Sequence, residues 1–113
     1  MNAVDFKLAS DVAIDDLGEG VTRQIMGHAP DLMTCRLTFA TGAVGALHSH
    51  PHSQTSYCES GRFCYRVADI EREIGPGDCV TIAPHREHGI VCLEAGVIID
   101  SFSPMRADFL GED

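Results

Sequence analysis

The chain has 113 residues, enough for one domain with a single core. Its formal net charge of −9, from 17 acidic against 8 basic residues, argues against a nucleic-acid or anionic-membrane partner, because both select basic surfaces. A small anionic substrate remains compatible if a metal or an arginine supplies a local positive spot. The five cysteines, Cys35, Cys58, Cys64, Cys79 and Cys92, are odd in number, form no CxxC pair and sit in apolar, strand-like runs. They read as reduced, buried thiols of a cytoplasmic protein. The N-terminal MNAVDFKLASDVAIDD carries acids and lacks a continuous apolar core, so no signal peptide is expected, and no run approaches a membrane span.

In chain order, residues 1–20 form a lead-in. Ser10-Asp11 suits the cap of a helical turn, and Asp15-Asp16 with Gly18 and Gly20 reads as loop. From Val21 the pattern is β. Met33, Cys35, Leu37 and Phe39 alternate with Thr34, Arg36 and Thr38, the period of a half-buried strand. Thr41-Gly42 breaks it. Strands follow over 43–50 and 53–58, with a turn at Ser60-Gly61. Phe63, Tyr65 and Val67 then alternate with polar neighbours, and 70–74 is a short strand. Gly75-Pro76-Gly77-Asp78 is a turn signal. Residues 79–83, 89–93 and 97–102 are the remaining strands, the last two split by Glu94-Ala95-Gly96. Phe109 and Leu110 give a tail, 104–113, an apolar grip on the body. Eight to ten short strands with frequent turns point to an all-β sandwich or barrel over 21–103 within one domain, 1–113. Such barrels hold a ligand in the mouth.

The densest chemistry is His48-Ser-His50-Pro-His52-Ser-Gln54. Alternate strand residues share a face, so His48 and His50 aim two imidazoles into one space. His88, in its own loop, is a further candidate. Converging imidazoles point to a metal site. His52 continues the alternation, but Pro51 distorts the strand there. His85 belongs to a loop and His28 to the surface.

These residues resemble the cupin family. Gly45-x2-His48-x-His50-x3-Gln54-x6-Gly61 is similar to its first motif, and Gly77-x6-Pro84-x3-His88 to its second. The resemblance implies a cupin double-stranded β-helix, a jelly-roll barrel, holding one divalent transition metal (nickel, zinc, manganese or iron) through His48, His50, Gln54 and His88. It also implies a homodimer, which would cover open sheet edges. Cupins usually carry Glu at the position of Gln54. The second motif's proline is displaced, its inner glycine is absent, and Cys92 stands at its final asparagine. Three imidazoles and an amide would leave the dication's charge in place, so it would remain a strong Lewis acid.

The tail Asp100-Ser101-Phe102-Ser103-Pro104-Met105-Arg106 is a second cluster. Asp100 ends an apolar strand, where it is either solvated or on the inner face together with Phe102. Arg106 either lies on the surface or folds back over the mouth. HSHPHSQ with DxFSPxRxDF is similar to the pectin-degradation cupins of the KdgF type. That resemblance implies a metal-dependent enzyme that converts cyclic 4,5-unsaturated monouronates from pectin or alginate breakdown into linear 4-deoxy keto-uronates. Asp100 would be its acid/base group, Arg106 a catalytic and substrate contact, and Phe102 a pocket wall. Two alternatives are a three-histidine cupin dioxygenase and a non-enzymatic cupin that binds a small acid.

Overall fold

A computed structural model describes residues 4–111; residues 1–3 and 112–113, the outer ends of the expected lead-in and tail, lie outside the described residues. Among the described residues, eight strands make up the fold: β1 Asp15–Gly18, β2 Val21–Ala29, β3 Leu32–Phe39, β4 Val44–His48, β5 Ser53–Val67, β6 Ile70–Ile74, β7 Cys79–Ile82 and β8 His88–Ser103. All the pairings are antiparallel.

The two long strands build the jelly roll. The second half of β8 pairs β3 and the first half of β5, which in turn pairs β7. The first half of β8 pairs β4 and the second half of β5, which pairs β6. Each long strand therefore belongs to both layers, and its alternating side chains enter the space between them. Val21, Phe39, Cys58, Phe63, Ile74, Ile82, Ile90, Cys92 and Ile98 fill that space. Phe39 and Phe63 meet edge to face at 5.3 Å, the arrangement that ring quadrupoles favour.

Three expectations change. Ser60-Gly61 is a register shift inside β5, not a turn between strands. Glu94-Ala95-Gly96 likewise lies within the continuous β8. Both are bends where the long strands pass between layers. Gly61 has φ +82°, and a Cβ there would meet Glu94 O at 2.5 Å. A turn-like composition thus served a crossing of two backbones. Asp15 and Asp16, read as loop, belong to β1. They pair with Arg23 and Thr22 of β2, so the partner strand overrides weak local propensity.

The alternation in β3 holds, with Met33, Cys35 and Phe39 buried and Leu37 half-buried. Ser10 and Asp11, expected to cap a helical turn, instead lie within a 3₁₀ turn, Ala9–Asp11, that follows Leu8 and has no side-chain cap. Phe109 and Leu110, in the 3₁₀ turn Ala107–Leu110, pack on the cluster of Met33, Cys35 and Phe102. All five cysteines are free, but Cys79 is exposed and Cys64 only half-buried. Both lie on faces that β5 and β7 turn outward, which a one-strand reading of apolar runs does not reveal. Among the described residues, no helix is long and apolar enough to cross a membrane.

Candidate active site

At one end of the jelly roll, β4 ends at His48 and β8 begins at His88. The two residues are direct cross-strand partners, with ring centroids 4.4 Å apart. Gly45 permits this closeness, because a Cβ there would meet Ile90 Cγ2 at 2.7 Å. The strand expected over 43–50 ends at His48, so His50 sits on the loop that follows β4. Its carbonyl accepts a 2.8 Å hydrogen bond from the His85 N–H, tying the loop to the segment before β8. One nitrogen from each of His48, His50 and His88 lies within 4.8 Å of the others. His50 and His88 are buried, and His48 is exposed on the rim.

The hydrogen bonds prepare these rings as ligands. His48 Nδ1 donates to Ala46 O and His88 Nδ1 to Arg86 O, both at 2.9 Å. Each ring then carries its lone pair on Nε2. His88 Nε2 is buried and without a partner. Such an orphan in a native core calls for an explanation, and a metal ion supplies one. Burial also pushes the pKa of His50 and His88 down, favouring the neutral form that binds metals.

Gln54 extends the set. Its Oε1 lies 2.8 Å from His50 Nε2. Two donors bound side by side at right angles on one ion, each ~2.1 Å from it, are ~3 Å apart, so this spacing suits shared ligation. The amide's orientation is set from behind, where Nε2 donates to Ser56 Oγ at 3.0 Å and faces Tyr65 OH at 3.5 Å. The residues present therefore fit a divalent cation. His52 stands outside the converging group. Its ring is 5.2 Å from that of His50 and 6.5 Å from that of Phe102.

Asp100 lies on β8 opposite Ser56 of β5 and Cys35 of β3. It is buried, on the same face as Ile98 and Phe102, so the inner-face reading holds and the solvated one does not. Burial raises its pKa from 3.8 to about 6, against the opposing hydrogen bonds of Ser56 and Gln54. Ser56 Oγ is 2.8 Å from Tyr65 OH, completing a buried chain from Tyr65 through Ser56 to Asp100. Neither Ser56 nor Tyr65 was singled out from the sequence. Period two from Gln54 through Ser56 to Cys58, and from Phe63 to Tyr65, was the available signal. The neighbouring Cys35 thiol is pushed up to about 12, mainly by burial, which makes it a poor nucleophile.

A cavity of about 310 Å³ opens over this chemistry, lined by His48, Gln54, Tyr65, His88, Asp100 and Phe102, with Arg23, Arg106 and Phe109 also on its wall. Arg106 does fold back: its Cζ is 5.3 Å from the Phe102 ring centroid and 4.2 Å from that of Phe109. Sequence reasoning missed Arg23, because only the packing of β2 against the tail brings it to the cavity.

A family model described as "Cupin domain" matches residues 35–100. The chain is 41% identical over 98 residues to the pectin degradation protein KdgF of Dickeya dadantii, covering 85% of this chain and 89% of that protein. It is a cupin of the KdgF group. The solved structure of KdgF from Halomonas sp. superposes with a TM-score of 0.91 at 36% identity, covering 95% of this chain and 99% of that one. An RmlC-like cupin from Shewanella frigidimarina superposes equally well, with a TM-score of 0.91 at 38% identity, covering 95% and 96%. The chain closes its cavity between two layers and carries a histidine cluster at the open end.

Proposed function

We propose that this KdgF-group cupin opens the ring of 4,5-unsaturated monouronates, giving linear 4-deoxy keto-uronates. The observation that carries the reading is Asp100, a buried carboxyl with a pKa of about 6 that shares one cavity with His48 and His88 of the three converging histidines. In the substrate, the ring oxygen belongs both to an enol ether and to a hemiacetal. Ring opening removes the proton of the C1 hydroxyl and breaks the bond from C1 to the ring oxygen. C1 becomes an aldehyde, and the ring oxygen keeps the electron pair as an enolate. Protonation at C4 then leaves a ketone at C5. The reaction is an isomerisation and needs no co-reactant.

Asp100 is the group for both proton movements, because a pKa near the working pH suits an acid and a base alike. Ser56 and Tyr65 hold its carboxyl in place and exclude water behind it. Phe102 walls the cavity, and Arg106 offers a cation for the substrate carboxylate. His48, His50, Gln54 and His88 would hold one divalent transition metal. Such an ion supplies Lewis-acid stabilisation of negative charge on substrate oxygen.

The test is to mix the purified protein with monouronate freshly made by a pectin or alginate lyase. Loss of the enol-ether ultraviolet absorbance should be fast, abolished by chelation, and restored by one of nickel, zinc, manganese or iron. Decay at the protein-free rate with every metal would overturn the reading. Oxygen uptake with a thiol or diketone would favour a dioxygenase instead. The five unpaired thiols suit a reducing cytoplasm. Open edges at β1, β4, β6 and β7 suit a homodimer, which light scattering reads directly.

A further inference from the structure

The cavity wall carries a second cation whose hydrogen-bonding capacity is largely unspent. Arg23 and Arg106 come from opposite ends of the chain, yet each Cζ lies 4.2 Å from the Phe109 ring centroid. The two guanidiniums are thus at most twice that distance apart. Both are largely buried, with side-chain exposures of 15% and 12%. Like charges held so near one another favour an anion between them.

Their commitments differ. Arg106 gives Nε and Nη2 to the Asp108 carboxylate at 3.0 and 2.9 Å, the paired geometry that neutralises a guanidinium best. Asp108 answers with a pKa below the usual range, chiefly through that bond. Arg23 has only a loose contact, Nη2 to Asp15 at 3.5 Å, and its Nε is buried with no hydrogen-bond partner. Glu19 borders the same cavity but, among the described residues, forms an ion pair with neither arginine.

We infer that Arg23 is the principal carboxylate-binding residue of the cavity, with Arg106 as its flanking partner and Phe109 as the platform that holds both. An arriving carboxylate would meet a guanidinium whose terminal nitrogens are only loosely engaged, whereas Arg106 must share its fork with Asp108. The pair would select a sugar acid over the corresponding neutral sugar. The inference rests on the uronate reading of the same cavity.

The test uses metal-loaded wild type, Arg23→Gln and Arg23→Lys. Calorimetry compares the binding of galacturonate with that of galactose, and steady-state assays follow lyase-generated uronate. Wild type should bind the acid in preference to the neutral sugar. Arg23→Gln should weaken galacturonate by about tenfold or more and raise KM similarly, with kcat and metal content little changed. Arg23→Lys should fall between, because it keeps the charge and loses the planar fork. A folded Arg23→Gln with wild-type affinity and KM overturns the inference; if that variant does not fold, Arg23→Lys with wild-type values does the same. Turnover in wild type with no effect of Arg23 sinks this inference alone. Arg23-dependent binding without turnover sinks the ring-opening reading alone. A wild type that neither binds the acid nor turns over the uronate sinks both.

Discussion

Ser56 and Asp100 face each other across β5 and β8, and the Ser56 hydroxyl donates to the Asp100 carboxylate at 2.5 Å. Through Gln54, which donates to the same serine hydroxyl, this pair connects the proton-moving group to the histidine cluster. The proposed chemistry depends on that connection, and so do the following expectations.

Asp100→Asn should reduce uronate turnover by ~10²-fold or more while keeping its metal, because the amide holds the shape and loses the proton. Elemental analysis beside the ultraviolet assay separates the two effects. The same variant tests the stability linkage in chelated protein. Asp100's folded pKa is raised to about 6, so its stabilising contribution is complete below 3.8 and is lost as pH rises through 6. The change is ~3 kcal/mol. Urea melts across that window should show the decline in wild type and a flatter profile in Asp100→Asn.

Gln54→Glu restores the carboxylate more usual in cupins. A charged donor should hold the ion more firmly, slowing its removal by a chelator. It should also cost about tenfold or more in turnover. A second carboxylate would sit near Asp100 and push its pKa above the useful range, and the amide's donation to Ser56 would be lost. Unchanged turnover would argue that this amide does not set the behaviour of Asp100.

His88→Ala should leave the protein with little bound metal, whereas His52→Ala should retain about one ion per chain. The contrast follows from the place of His88 inside the converging group and of His52 outside it. Equal metal content in the two variants would contradict the ligand assignment.

Gly61→Ala should destabilise the fold by ~3 kcal/mol, a fall of ~10 °C or more in melting temperature. The added methyl meets Glu94 O at 2.5 Å and Ala95 O at 2.7 Å, at φ +82°. Gly27→Ala meets nothing within 4 Å and should stay within ~0.5 kcal/mol of wild type. Thermal melts of both variants provide the comparison.

Local period was enough to read β3 and the inward face of Phe63 and Tyr65, because side-chain alternation is a property of a single strand; His48 and His50 do converge, but through the loop after β4 and not through strand alternation. His88 was legible from its motif spacing, and alternation allowed Asp100 and Phe102 to share a face but left Asp100 open between that and a solvated strand end until the fold buried it. The bends at Gly61 and Gly96 looked like turns, because a glycine that lets two backbones cross has the same composition as one that reverses the chain. Which strands lie side by side was decided only by the folded chain. That pairing set Ser56 against Asp100 and brought Arg23 and Arg106 to one phenylalanine from opposite ends of the chain. Contacts of this kind depend on sheet register and on the return of the tail, which no single strand's pattern records.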